Sequence, residues 1–214
     1  TNSIMIGSSC GYNNNAANNV FLGNNAGYTN TTGANNVFLG YYSGYANSDG
    51  NFNTLLGYYS GRYATLDNNN VVLGYYSGYN ADDADDCVII GSYSGRNADN
   101  SLNSVMIGSY CGYNNNGESK VFMGYYSGYL TQGGNRNVFL GDHAGYSNVS
   151  GNDNVFLGYN AGYSSTASNN VFLGNEAGYH NTSAEYNVFI GYQCGYTNTQ
   201  GGVTGNEGRY NTFI

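Results

Sequence analysis

The chain contains no proline and no tryptophan, and only five of its 214 residues are basic. Without proline there is no polyproline or collagen-like segment. Arg62, Arg96, Lys120, Arg136 and Arg209 stand against thirteen acidic residues, for a formal charge of −8, so there is no basic stripe with which to grip nucleic acid or an anionic membrane surface. Neither is expected as a partner. No apolar run approaches the ~18 residues of a spanning helix, and the residues from Thr1 onward carry no basic-then-apolar leader. The expectation is a chain without membrane insertion, any export signal or anchor lying outside it.

Glycine and tyrosine abound instead, at 34 and 25 residues, and both are periodic. A first glycine recurs from Gly7, Gly23 and Gly40 through to Gly174 and Gly191, always 16 or 17 residues apart. A second follows each of the twelve after four residues, from Gly11 to Gly195. Before the first glycine sits an apolar triplet such as Val20-Phe21-Leu22 or Val138-Phe139-Leu140, usually preceded by Asn. These β-branched and aromatic residues read as a short strand. Between the glycines one slot is always small: Ala26, Ser43, Cys111 and their equivalents. Length changes fall only in the Asn-, Thr-, Ser- and Asp-rich stretch that follows, which reads as the exposed loop.

A unit this short cannot hold a helical hairpin. Two fixed glycines suit corners that need positive φ or close backbone approach, and one coil of a parallel β-solenoid fits best. The fold expected is therefore all-β: a single domain over residues 1–214, built as about twelve stacked 16–17-residue coils. At a strand spacing of about 4.8 Å they make a rod about 55–60 Å long.

Alternate side chains of a strand face opposite ways. With Val37 and Leu39 turned inward, Phe38 turns outward, and the middle slot becomes a longitudinal apolar stripe that is never polar. Phe21, Phe38, Phe122, Phe139, Phe156, Phe172 and Phe189 occupy it, with Met, Leu, Val and Ile between and Phe213 in a partial thirteenth unit. A stripe of that length exceeds what monomers usually expose, so these residues are candidates for an assembly interface. The alternative keeps them within the chain's own core, under a loop that folds back over them. A second column, Tyr42, Tyr59, Tyr76, Tyr93, Tyr110 and Tyr126, predicts a ladder of stacked rings. It serves to stiffen the rod, contact a neighbour or bind sugar faces. Towards the C-terminus it fades to His143, Asn160, Glu176 and Gln193.

Catalysis finds no purchase. His143 and His180 are isolated, and no coil gathers a nucleophile, a base and an orienting group. Cys10, Cys111 and Cys194 are five or six coils apart, too far for disulfides within one rod, and Cys87 takes a slot usually held by Asn. Asp82, Asp83, Asp85 and Asp86 cluster in one loop but lack the Gly and Glu spacing of a calcium loop. No catalytic, cofactor or metal site is expected. Asn30, Asn148 and Asn181 match the glycosylation acceptor pattern, as chance allows in a chain so rich in Asn.

Ser3-Ile4-Met5-Ile6-Gly7 and Ser104-Val105-Met106-Ile107-Gly108, each followed by a small residue and glycine, resemble the head repeats of YadA-like trimeric autotransporter adhesins. Similar repeats occur in phage tail fibres. The resemblance covers nearly the whole chain and implies a left-handed β-roll, surface display, adhesion and a trimer. The unit here is longer, carries Gly-Tyr after the small residue and has a bulky middle residue in its triplet.

These features point to a structural, self-assembling, extracellular or cell-surface fibre protein whose partner is itself, as filament or trimer. A receptor- or glycan-binding adhesin or tail-fibre segment is the alternative, with a surface glycan or host receptor as partner. An ice-binding solenoid ranks last, since Thr31, Thr32 and Thr199 scatter in loops. The chain opens on one strand and stops within another. It reads either as a fragment of a longer array or as a unit that stacks head to tail through Ile4, Ile6, Phe213 and Ile214.

Overall fold

The computed structural model describes residues 2–198 and 210–214; Thr199 and Arg209 fall outside them. Every apolar triplet is a strand. The strands are β1 (Ile4–Ile6), β2 (Val20–Leu22), β3 (Val37–Leu39), β4 (Thr54–Leu56), β5 (Val71–Leu73), β6 (Val88–Ile90), β7 (Val105–Ile107), β8 (Val121–Met123), β9 (Val138–Leu140), β10 (Val155–Leu157), β11 (Val171–Leu173), β12 (Val188–Ile190) and β13 (Thr212–Phe213). They form one parallel sheet in chain order. Equivalent residues pair in register, Phe38 lying between Phe21 and Leu55. The protein is an all-β solenoid, with eleven complete turns from β1 to β12 and no helix among the described residues.

Glycine sets where each strand stops. Gly57 has φ 138°, and a Cβ there would lie 2.4 Å from the Gly74 carbonyl oxygen of the next coil. Backbone meets backbone, so no side-chain shift can relieve the contact.

The strands face the opposite way from the sequence expectation. In β3 it is Phe38 that is fully buried, while Val37 and Leu39 are only half-buried. The same holds from β2 to β12. Phe21, Phe38, Phe122, Phe139, Phe156, Phe172 and Phe189 are thus core residues with no exposed surface, and the expected assembly stripe is corrected: they cannot touch another chain. The physical reason is the second glycine. Gly145, at φ 60°, would place a Cβ 2.4 Å from Cδ2 and Cε2 of Phe139, so the missing side chain is the space that the ring fills. Phe122, Phe139, Phe156 and Phe172 stack with centroids 4.8 Å apart, close to the strand spacing itself. Phe213, Ile4, Ile6 and Ile214 are exposed, in the first and last strands or just beyond.

The polar stretch is also partly interior. The Asn that precedes most strands is buried from Asn19 to Asn187, and six of these residues bind the next coil twice. Asn36 Oδ1 accepts from the Asn53 amide at 2.8 Å, and Asn36 Nδ2 donates to the Gly50 carbonyl at 2.8 Å. Asn19, Asn53, Asn70, Asn137 and Asn154 repeat the pattern. Such a ladder satisfies both ends of a buried amide. Asn30, Asn148 and Asn181, the acceptor-pattern residues, are likewise fully buried and in the folded rod present no side-chain nitrogen for a glycan. All four cysteines are free. Cys87 replaces an Asn of the ladder and donates its thiol to the Ser101 carbonyl at 2.8 Å; burial pushes its pKa up to about 11.

The second glycines differ in tightness, and this gives a testable contrast. Gly44 and Gly61 share φ near 58°. A Cβ on Gly44 would meet the Phe38 ring at 2.7 Å, whereas on Gly61 the nearest atom is Leu55 Cδ2 at 3.2 Å. Both alanine variants are expected to lose the roughly 1–2 kcal/mol of a left-handed residue, and Gly44→Ala about 1–3 kcal/mol more from overpacking. Urea titration of the two variants measures the difference; equal losses would contradict the ring contact.

Candidate functional surfaces

Two surfaces run the length of the rod. The first is a corner just after the first glycine, held by tyrosine in six successive coils and flanked by a second tyrosine column. Tyr42, Tyr59, Tyr76, Tyr93, Tyr110 and Tyr126 all have φ between 53° and 58°, where a bulky side chain is an outlier. The structure does bring them together. Tyr76, Tyr93, Tyr110 and Tyr126 stack with centroids 4.8–5.4 Å apart, and Tyr42, Tyr59 and Tyr76 meet edge-on at 4.9–5.6 Å. Aromatic pairs contribute about 0.5–1.5 kcal/mol beyond burial, comparable to the backbone strain at each position. His143 continues the stack at 5.2 Å from Tyr126.

A second tyrosine column follows the second glycine. Tyr129, Tyr146, Tyr163, Tyr179 and Tyr196 stack at 4.9–5.2 Å. The Gly-Tyr pair, present in ten of the twelve coils, was its signal in the sequence. Where arginine replaces tyrosine, the cation takes over the packing. The Arg62 guanidinium lies 4.4–4.6 Å from the Tyr42, Tyr59 and Tyr63 rings. That of Arg96 lies 5.1 Å from the Tyr79 ring, and its Nη1 donates to the Tyr113 hydroxyl at 2.9 Å. A hydrogen bond with Tyr59, with partial desolvation, pushes the Tyr58 phenol up to about 12. Desolvation, with a hydrogen bond to Tyr125, does the same to Tyr126. Along the stacked runs each ring face is covered by the next ring, so the corner offers edges and hydroxyls rather than free faces for a sugar.

The second surface is the outer face of the sheet. Residues flanking the buried middle position form two aliphatic columns, Val20 to Val188 and Leu22 to Ile190, and none from β2 to β12 is buried. Leu22 and Leu157 are 46% and 45% exposed. The columns contain no charged residue, and Thr54 is their one polar member from β2 to β12.

The remaining polar groups serve the rod itself. Asp82 accepts from the Thr65 amide at 3.0 Å and Asp85 from the Asn68 amide at 2.8 Å, each reaching back one coil. His143 bonds Asp142 through Nδ1, and His180 packs edge-on to Tyr179 and Tyr196. Among the described residues no group of three or more His, Cys, Asp or Glu side chains is placed to hold a metal ion. Among the described residues no helix is long and apolar enough to cross a membrane.

The fold defines the chain as a β-solenoid repeat protein. Compared with known families, curated proteins and solved structures, it matches no family model, no curated protein and no solved structure.

Proposed function

We propose that this chain is a structural fibre module, working outside the cell or at its surface, that packs side by side with copies of itself through the aliphatic face of its sheet. The charge-free double column of half-exposed Val, Leu and Ile carries the reading. Three residues of strand across thirteen strands cover about 600 Å² on the usual spacings, and a standard interface takes about 800 Å² from each partner. The bordering Tyr41, Tyr58 and Tyr75, themselves 40–46% exposed, make up the difference. A second copy is the fitting occupant because its side-chain rows have the same axial period, so the two faces mesh along their whole length as in a steric zipper. The role is mechanical, not catalytic. The resemblance to adhesin head repeats supports surface display and a homo-oligomer such as a trimer.

The test is the double variant Leu140→Lys, Leu157→Lys. Sedimentation equilibrium is expected to show an oligomer for the parent and a monomer for the variant, with unchanged circular dichroism and melting because both residues face outward. A parent that stays monomeric at high concentration, or a variant that associates equally well, overturns the proposal. Glycan binding remains the second reading, through the exposed edges and hydroxyls of the stacked Tyr41, Tyr58 and Tyr75; retention on polysaccharide by the monomeric variant would support it.

A further inference from the structure

The two tyrosine columns join into one unbroken path. It starts at Tyr12, passes Tyr28 and Tyr45, and crosses to Tyr42 with steps of 5.1–5.2 Å between centroids. It then follows the first column to Tyr126, no step exceeding 5.6 Å. From Tyr126 it crosses to Tyr129 at 4.9 Å and continues to Tyr196 with steps of 4.9–5.2 Å. Every station is a phenol, and every station touches the next.

One position has no bypass. The sixth coil, residues 91–107, contains a single aromatic side chain, Tyr93. Tyr75 and Tyr76 approach it from one side at 5.5 and 5.4 Å, and Tyr110 from the other at 5.0 Å. The Arg96 guanidinium bridges Tyr79 and Tyr113 in the second column, but guanidinium is not oxidised under conditions that oxidise phenol.

We propose that the tyrosine corner relays one-electron oxidising equivalents along the rod as phenoxyl radicals, with Tyr93 the obligatory station between its halves. In each hop the phenoxyl takes one electron and one proton from the adjacent phenol, restoring its own O–H and leaving the neighbour as the phenoxyl. No bond between rings forms and nothing is consumed after the first event, which needs one equivalent of a one-electron oxidant such as an activated haem or a photoexcited metal complex. The raised Tyr126 phenol on this path stays protonated near neutral pH, so proton and electron travel together. The half-exposed corner gives the protons access to water. This inference is independent of how copies associate.

The test uses the full chain with its cysteines replaced by residues that the same slots already hold: Cys10→Ala, Cys87→Asn, Cys111→Ser and Cys194→Ala. Asn13→Cys, beside Tyr12, carries a ruthenium polypyridyl photo-oxidant. After illumination with a sacrificial electron acceptor and a nitroso spin trap, adducts are mapped by mass spectrometry. Adducts are expected on Tyr163, Tyr179 and Tyr196. In Tyr93→Phe, which keeps the ring but removes the oxidisable hydroxyl, these fall to background while adducts from Tyr12 to Tyr76 persist. Circular dichroism confirms that the variant is folded. Distal adducts missing from the parent, persisting in Tyr93→Phe, or appearing equally on an isotope-labelled copy without ruthenium would each overturn the relay.

Discussion

Phe139→Ala is expected to lower the unfolding free energy by about 3–5 kcal/mol, the usual cost of deleting a buried phenylalanine. The Phe139 ring is stacked at 4.8 Å between Phe122 and Phe156 and seated on Gly145, which has no side chain to follow it into the void. The coil cannot close the gap either, because its strand is held in register on both sides. Since a solenoid's stability is shared between nearest neighbours, the loss should fray β8 to β10 together. Phe139→Leu should cost much less, for Leu55, Val72, Ile89 and Met106 fill the same position on the same backbone. Guanidinium titration of the three proteins gives the ranking. An outward-facing phenylalanine would give the opposite result, with Phe139→Ala unfolding at the same denaturant concentration as the parent.

That orientation was the feature least legible in the sequence. Period-two alternation says that the middle of a triplet opposes its flanks but not which side is inside, and a three-residue strand leaves either choice open. The deciding signals were subtler. Thr54 and Thr212 show that the first position admits a hydroxyl, whereas the middle never does. The second glycine marks where a large ring must fit. By contrast, the coil count, strand positions, parallel order and corner glycines followed directly from the repeat, because each is a matter of spacing. The tyrosine ladder was legible for the same reason. Its left-handed backbone was not, since tyrosine is a poor marker of positive φ. The interior Asn ladder was hidden by composition: polar residues in a stretch of variable length read as loop. Only the fixed offset of one Asn before most triplets distinguishes a buried amide from a solvated one.

Lys120→Asn is expected to stabilise the protein by about 3–5 kcal/mol more at neutral pH than in alkali, where only the gain from a restored hydrogen-bond acceptor is left. Lys120 occupies the Asn ladder position before β8 and is fully buried. Its Nζ donates to Asn115 Oδ1 at 2.7 Å and to the Asn116 carbonyl, with no carboxylate paired to it. Lysine has no acceptor to offer the Asn137 amide of the next coil, the bond that Asn137 in turn gives Asn154 at 3.0 Å. Desolvation lowers its pKa from 10.5 to about 7, and at about 1.4 kcal/mol per tenfold change in the proton equilibrium the penalty reaches about 5 kcal/mol. The direction in pH follows from proton counting. Above about 10.5 the amine is neutral in both the folded and unfolded chain, and burial costs no charge. As pH falls from 10.5 towards 7 the unfolded chain binds a proton that the folded chain does not, so the parent loses stability steadily; below 7 both are protonated and the deficit stays constant. Asparagine at 120 removes this slope and restores the missing acceptor. Denaturant titrations of parent and variant between pH 6 and pH 10.5 test it through their difference, in which the ionisation of the shared tyrosines cancels. A difference that stays flat across that window would mean that Lys120 keeps its proton in the folded rod, held by Asn115 and Asn116.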